Sequence, residues 1–229
     1  MIQSEQQRRA YLEAIGIDVW LPRDHVDAAD GAMAETEHHA PPTGALDWSE
    51  LRAHVAVCKR CPLHEGRTQA VFGVGSPDAD WMVIGEAPGA EEDRRGEPFV
   101  GRAGKLLDEM LRAIGEARDS VFIANILKCR PPNNRDPKAD EAAACRAYLE
   151  RQVELVNPKI ILAVGRIAAQ QLLGSDVPVG RLRGKLHHFG DTPMVVTYHP
   201  AYLLRSPSQK RKVWDDLCFA SRIVSESLP

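Results

Sequence analysis

The sequence contains five cysteines, and four of them are spaced so that they could share one site. Cys58 and Cys61 form a Cys-x-x-Cys pair, Cys129 follows after 67 intervening residues, and Cys145 follows after a further 15. Such a set can hold an iron–sulfur cluster or a zinc ion, or it can consist of free thiols. Spacing alone leaves these interpretations open. Cys218 lies in an apolar helical pattern and is predicted to belong to the core.

Two further residues capable of chemistry follow apolar runs. Glu86 comes after DWMVI in the segment GEAPG, and His199 comes after PMVVTY in the segment HPAYLLR. A carboxylate and an imidazole in such positions can act in acid–base catalysis or hydrogen bonding. The nearby segment Gly101–Lys105 is too short for a phosphate-binding loop, and Leu106 stands where that loop needs a hydroxyl. An NTPase is therefore not predicted.

The segment HPAYLLR has an unusual composition for the loop that the sequence predicts there. Tyr202, Leu203 and Leu204 are adjacent, Arg205 follows them, and residues 210–212 are all basic. Apolar side chains beside basic ones suit a wedge that enters a base stack next to a phosphate-binding patch. The alternative is that Leu203 and Leu204 pack in the core.

The elements that would position these residues alternate between strand and helix patterns. Strand-like apolar runs occupy residues 80–87, 120–129, 158–165 and 193–200. Helical patterns occupy residues 104–115, 137–156, 166–174 and about 208–224. Asp136 is the predicted N-cap of the second helix, with Pro137 at its first position. This alternation predicts an α/β fold with a parallel sheet covered on both faces and a ligand site at the carboxyl ends of the strands.

Charge is unevenly distributed along the chain, whose formal net charge is −3. Residues 24–46 hold five acids and no Lys or Arg, and they are predicted to be a disordered acidic linker. Residues 1–23 carry an amphipathic helical pattern with equal numbers of acids and bases, which suits either a partner-docking helix or one packed on its own domain. The remaining body, residues 47–229, therefore has a net charge of about +2 and is predicted to form one domain.

The apolar runs are all too short to cross a membrane, because none reaches about 18 residues. The N-terminal residues include acids and no apolar region, so they do not resemble a secretory signal. We therefore expect a cytoplasmic protein without a membrane partner. In that reducing compartment, cysteines serve more often as metal ligands or catalysts than in disulfides.

Several stretches together resemble the family 4 uracil-DNA glycosylases, the iron–sulfur type of bacteria and archaea. The resemblance runs from about Cys58 to Leu217 and rests on GEAPGAEED, GEPFVGRAG, NILKCRPPNNRDP, HPAYLLR and the order of the cysteines. It implies a three-layer α/β/α sandwich with a four-stranded parallel central sheet. It also implies that Cys58, Cys61, Cys129 and Cys145 hold a 4Fe–4S cluster.

The resemblance further implies which residues carry out catalysis. Glu86 matches the first-motif acid near the sugar, and His199 matches the histidine of the second motif. Asn134 falls in a loop that lies near the sugar in this family. Family 5 enzymes lack a carboxylate at the position of Glu86. A related cluster-bearing type, which cross-links to DNA, has Gln where this chain has Ala87. Neither of these relatives therefore fits the sequence as well as family 4.

A second set of residues would bind the base together with Glu86 and His199. Ala87 and Pro88 would line it with backbone, Glu92 would fence the C5 edge of uracil, Phe99 would stack on the ring and Asn125 would read its edge. Tyr202, Leu203, Leu204 and Arg205 are the predicted wedge and phosphate contacts.

The implied activity is excision of uracil from single- and double-stranded DNA by a monomer, with residues 1–23 available to a protein partner. A non-catalytic zinc module that binds nucleic acid and a cluster-based redox sensor are the alternatives.

Overall fold

One sheet organises residues 43–226, the part of the chain that the computed structural model describes. Its strands, numbered along the chain, are β1 (Val74–Gly75), β2 (Trp81–Gly85), β3 (Phe122–Asn125), β4 (Ile160–Val164), β5 (Leu186–Phe189) and β6 (Thr192–Thr197). Their order across the sheet is β1-β3-β2-β4-β6-β5. The four central strands run parallel, as predicted, while β1 and β5 pair antiparallel at the two edges and were not predicted.

Helices follow the strands along the described part of the chain. They are α1 (Trp48–Val57), α2 (Leu63–Gly66), α3 (Ala90–Arg95), α4 (Arg102–Arg112), α5 (Ala139–Val156), α6 (Arg166–Leu173), α7 (Val179–Leu182), α8 (Pro200–Arg205) and α9 (Lys210–Glu226). Short 3-10 turns occupy Thr43–Ala45, Pro132–Asn134 and Pro207–Gln209. No helix between residues 43 and 226 combines the length and the apolar character needed to cross a bilayer.

The core consists of two apolar layers, one on each face of the sheet. Successive strand side chains point to opposite faces, so Met82 and Ile84 of β2 pack in one layer, and Trp81 and Val83 pack in the other. Helices α1, α2, α5, α6 and α7 contribute to the first layer, and α4, α8 and α9 contribute to the second. The predicted α/β/α sandwich is therefore confirmed, and every residue of β2, β3 and β4 is buried.

Helix α5 begins two residues later than the sequence pattern predicts. Its N-cap is Lys138, whose backbone N–H donates to the Glu141 carboxylate at 2.9 Å. The predicted N-cap, Asp136, instead forms an ion pair with Arg166. Glu141 also pairs with Arg135, and this local network fixes the start of the helix.

The folded domain begins before the predicted boundary at residue 47. Thr43–Ala45 forms a 3-10 turn, and the carbonyl of Leu46 accepts hydrogen bonds from Nε and Nη2 of Arg151 at 2.9 and 2.7 Å. Asp47 caps α1 and forms a capping box with Glu50. The last residues of the predicted linker therefore belong to the domain. The rest of that linker and the predicted N-terminal helix, residues 1–42, lie outside the described residues.

Candidate active site and cysteine cavity

A cleft of about 560 Å³ opens where the parallel strands end. Strand β2 leads directly into Glu86, β3 ends at Asn125, and His199 follows two residues after the end of β6. This is the edge at which parallel sheets place their ligand sites. Ten of the predicted site residues line the cleft: Glu86, Ala87, Pro88, Glu92, Phe99, Asn125, Asn134, His199, Tyr202 and Arg205.

Asn125 presents an unpaired acceptor in this cleft. The residue is 3% exposed, and its Oδ1 has no hydrogen-bond partner among the described residues. It lies beside Gly85, because the two residues are in register on β3 and β2. A Cβ at Gly85 would come within 2.5 Å of Asn125 Oδ1 and 2.6 Å of Phe99 Cζ, so glycine is required there. A buried, unpaired acceptor is costly unless a ligand satisfies it.

Phe99 lies in the cleft in an unusual backbone conformation. Its φ is 54°, in the left-handed region that bulky side chains rarely adopt. Arg118 fixes the segment by donating to the carbonyls of Pro98 and Phe99. Gly104 allows close approach of α4, since a Cβ there would lie 1.7 Å from the Phe99 carbonyl oxygen. Such strain persists only where surrounding contacts enforce it, and it is frequent at ligand sites.

Glu92 connects the two ends of the loop that carries Phe99. Its Oε2 accepts from the backbone N–H of Gly89 at 3.1 Å, and its Oε1 accepts from those of Val100 and Gly101 at 3.1 and 3.3 Å. The carboxylate therefore lines the cleft in a fixed position. This second role, holding backbone N–H groups, was not predicted from the sequence.

His199 is oriented by the start of α8. It is the N-cap residue, and its Nδ1 accepts a hydrogen bond from the Ala201 backbone N–H at 3.1 Å. In the neutral ring the proton must therefore be on Nε2. The pKa of His199 is lowered to about 4, mainly by burial and also by Arg205, while Glu92 partly opposes them. The imidazole also stacks on Phe99, with ring centroids 5.5 Å apart and planes at 26°.

Glu86 has a pKa displaced in the opposite direction. Its pKa is raised to about 6, mainly by burial and also by the Asp136 carboxylate, while Arg166 opposes both. Asp136 and Arg166 form an ion pair with each other, so they act on Glu86 together. The sequence pattern did not connect either residue with Glu86, because they lie in separate segments that only the fold brings together.

Asn134 lies across the cleft in the turn Pro132–Asn134. Its Oδ1 accepts from Arg130 Nε at 2.8 Å, which leaves the amide nitrogen for another partner. Both Asn133 and Asn134 have positive φ, 55° and 53° respectively, a conformation that asparagine tolerates better than most residues.

The predicted wedge is a short helix, α8, rather than a loop. Leu203 is 1% exposed and packs in the layer with α4 and α9, so its assignment to the wedge is wrong. Leu204 is 38% exposed, while Tyr202 and Arg205 line the cleft. Successive helical residues are about 100° apart, which explains why adjacent leucines have different environments.

The four spaced cysteines line a second, small cavity. Cys58 follows α1, Cys61 precedes α2, Cys129 follows β3, and Cys145 lies in α5. Burial raises the pKa of the Cys145 thiol to about 12 and also raises that of Cys129. Cys218 lies outside this cavity, in α9, and is half-buried.

Cationic side chains surround these thiols. Arg60, Arg67 and Lys128 all line the cavity, and Arg67 Nη1 donates to Cys129 Sγ at 2.9 Å. Nε and Nη1 of Arg60 are buried without a partner among the described residues. Within residues 43–226 no three His, Cys, Asp or Glu side chains meet closely enough to hold a single metal ion. Four thiols spread around a cavity with buried cations fit an anionic, thiolate-bound cluster of several atoms.

Comparison with known proteins gives the family. A family model described as the uracil DNA glycosylase superfamily matches residues 72–218. The chain belongs to this superfamily. The residues that match the family model include every residue that lines the cleft, together with Cys129 and Cys145.

The similarity to individual members shows which group of the superfamily this chain belongs to. A type-4 uracil-DNA glycosylase of Thermotoga maritima is 45% identical over 176 residues, which cover 75% of this chain and 92% of that protein. One from Archaeoglobus fulgidus is 44% identical over 188 residues, covering 79% and 94%. One from Sulfurisphaera tokodaii is 44% identical over 176 residues, covering 73% and 80%. The chain is therefore a member of the type-4 group of uracil-DNA glycosylases.

Proposed function

We propose that this chain removes uracil from DNA during base excision repair. It hydrolyses the bond between uracil N1 and the sugar C1′, releases free uracil and leaves an abasic site. The observation that carries the proposal is the buried, unpaired Oδ1 of Asn125, held beside the strained Phe99 in a cleft that also contains Glu86 and His199.

Asn125 accounts for the choice of base. Its Oδ1 accepts from uracil N3–H, and its Nδ2 donates to O4. Cytosine has the opposite pattern at these positions, so both hydrogen bonds fail and each buried group left unpaired costs about 1–3 kcal/mol. Phe99 stacks on the base after it has been flipped out of the helix, and Ala87 and Pro88 supply backbone contacts.

Glu92 excludes thymine in this scheme. Thymine has the same hydrogen-bonding edge as uracil and differs by a methyl group at C5, so shape must reject it. The three backbone N–H groups that Glu92 accepts hold its carboxylate in place against an intruding methyl group. A fixed side chain discriminates better than one that can move aside.

His199 stabilises the leaving group. As the C1′–N1 bond breaks, its electron pair moves to the uracil ring, and negative charge develops on O2. The neutral imidazole donates from Nε2 to O2, because Nδ1 is engaged by Ala201. Donors aimed at developing charge typically contribute about 3 kcal/mol each.

Glu86 acts on the sugar side as a carboxylate. It either orients the water whose oxygen bonds to C1′ or stabilises the cationic sugar by its charge, and both roles require the ionised form. Asn134, across the cleft, contacts the sugar or the same water. A pKa of about 6 keeps most Glu86 side chains ionised at neutral pH.

The rim of the cleft binds the DNA strand. Leu204 fills the space that the flipped nucleotide leaves, and Tyr202 and Arg205 contact the adjacent sugar-phosphate backbone. This arrangement serves single- and double-stranded substrates and needs only one copy of the chain. We place the activity in the cytoplasm, where thiols stay reduced, and we retain residues 1–23 as the segment for a protein partner.

Cys58, Cys61, Cys129 and Cys145 would hold a 4Fe–4S cluster, with Arg60, Arg67 and Lys128 balancing its negative charge. Hydrolysis transfers no electrons, so the group supplies a covalent link rather than reaction chemistry. That link joins the segment between α1 and α2 to the end of β3 and to α5.

The decisive experiment measures free uracil released from a single-stranded oligonucleotide that contains one deoxyuridine. We expect stoichiometric release, and no base release from the same oligonucleotide with deoxycytidine in that position. Binding without release would contradict the proposal and favour a non-catalytic module. In that case zinc in place of iron and sulfide in the purified protein would identify the module as the zinc type.

A further inference from the structure

A fully buried lysine lies between the cysteine cavity and the cleft. Lys128 is 2% exposed, and it is one of the largest fully buried side chains in residues 43–226. Its Nζ donates to the carbonyl oxygen of Asn125 at 2.9 Å and to Oε1 of Gln152 at 2.6 Å. The same side chain lines the cavity that contains the four thiols. Burying an ammonium group is costly unless opposite charge and hydrogen bonds compensate it.

Both partners of Lys128 are themselves fixed. Gln152 is 0% exposed, and its Nε2 donates to the carbonyl of Phe72 at 2.9 Å, which sets the orientation of its amide. The segment between Asn125 and Cys129 is hydrogen-bonded to the end of β2, where Glu86 lies. The backbone N–H of Ile126 donates to the Gly85 carbonyl, and that of Leu127 donates to the Glu86 carbonyl, both at 3.0 Å.

We propose that Lys128 is a positioning residue that aims the Asn125 amide at the base by holding the Asn125 carbonyl. It rests on the function proposed above and adds a specificity role for a residue outside the cleft. Asn125 is the last residue of β3, and its buried C=O needs a hydrogen-bond donor. Lys128 provides that donor from the side of the cavity. Binding of uracil therefore depends on an interaction that uracil never touches.

The test uses the full chain and the variant Lys128→Met, which keeps the length of the side chain but removes its charge and donors. Lys159→Met is the matched control, because Lys159 pairs with Asp80 and lines neither the cleft nor the cysteine cavity. Measured values are the inhibition constant of free uracil and kcat/KM for a deoxyuridine oligonucleotide, both per cluster-loaded molecule. Iron and sulfide content gives the loaded fraction.

For loaded Lys128→Met we expect an inhibition constant raised about tenfold and kcat/KM lowered about 100-fold, since small displacements of a binding group have effects of this size. Lys159→Met should match the wild type. If Lys128 were only structural, the loaded fraction and the melting temperature would fall, but loaded molecules would bind uracil normally. That result would overturn the inference.

Gln152 provides a second route if Lys128→Met does not assemble. Gln152→Met leaves the ammonium with one anchor and should weaken uracil inhibition. Gln152→Glu retains an acceptor for Lys128 but loses the donor to Phe72, so it should weaken uracil inhibition less than Gln152→Met does. Loss of the cluster in both methionine variants would overturn the inference, because the role would then be structural. Failure of the wild type to release uracil would instead overturn the proposed function.

Discussion

Two side chains of the cleft titrate on opposite sides of their usual ranges. Burial disfavours the charged form of each, so it raises the pKa of Glu86 to about 6 and lowers that of His199 to about 4. Above pH 6, Glu86 is therefore mainly ionised while His199 is neutral. This is the combination that the proposed mechanism needs, with negative charge at the sugar and a neutral donor at the base.

The rate of uracil excision should fall as pH decreases through about 6, by about tenfold for each further pH unit, because Glu86 becomes protonated. His199 gains charge only near pH 4, so it cannot produce this limb. The measurement is kcat/KM between pH 5 and 8 for the wild type and Glu86→Gln. The variant should have a lower kcat/KM, and its kcat/KM should not fall further as the pH decreases through about 6. A limb that persists in Glu86→Gln would assign the titration to another group.

Asn125→Asp should lower uracil kcat/KM by about 100-fold and narrow the preference for uracil over cytosine. An ionised Asp offers only acceptors, so it can no longer donate to O4. The matched control is Asn133→Asp, since Asn133 lies in the nearby turn but does not line the cleft. Full uracil activity in Asn125→Asp would remove this residue from base recognition.

At the level of elements, the sequence predicted the strands and helices whose apolar residues follow a clear pattern. The four central strands are long apolar runs, and α4, α5, α6 and α9 have clear helical patterns, so all were found. Strand β1 has two residues and β5 is half exposed, and neither length nor alternation distinguishes such segments. Helix α8 spans six residues, and reading it as a loop led to the error over Leu203.

The residues that line the cleft were predicted more completely than the residues that hold them in position. Residue types at strand ends, together with the family resemblance, located the residues that would contact the base. The groups that set their geometry and charge come from other segments: Arg118 on the Phe99 carbonyl and Arg166 near Glu86. Such pairings depend on tertiary packing, which periodicity in a single sequence does not encode.

Gly85→Ala should lower uracil kcat/KM by about 100-fold while the cluster is retained. The new Cβ would overlap Asn125 Oδ1 and Phe99 Cζ, so both groups that hold the base must move. Gly66→Ala is the matched control, because a Cβ there meets nothing within 4 Å. Oligonucleotide cleavage kinetics and iron content measure the two effects. Wild-type kinetics in Gly85→Ala would show that the cleft can absorb the methyl group.

Cys129→Ala and Cys145→Ala should each lose the cluster and melt at lower temperature, because both thiols close one site between β3 and α5. Cys218→Ala should keep iron, colour and stability, since Cys218 lies outside the cavity. Visible absorbance, iron content and thermal unfolding measure the outcome. Colourless variants of Cys129 or Cys145 with unchanged melting would contradict a structural role for the group.

At the scale of the whole molecule, all residues assigned to the cleft or the cysteine cavity lie at or beyond Val55. The domain already includes Leu46, because the Leu46 carbonyl holds Arg151 of α5. A truncation at residue 47 would remove that acceptor. The boundary for testing the N-terminal segment is therefore residue 43 rather than the predicted residue 47.

Deletion of residues 1–42 should leave excision of uracil at least as fast as in the full chain. DNA affinity should rise slightly at low salt, because the deletion removes the five acids of residues 24–46, and the difference should fade as salt increases. Deletion of residues 1–23 alone is the control, since it keeps those acids and should not change affinity. Lost turnover with an intact cluster would place residues 1–42 in the active domain.

The two short antiparallel edge strands have a consequence for self-association. A strand from another molecule can extend a sheet only where a row of free backbone groups is exposed. At one edge of this sheet β1 offers two residues, and at the other β5 carries adjacent histidines, His187 and His188. Both edges are poor templates for strand addition. The sheet that residues 43–226 form therefore offers little edge at which a second copy could add a strand.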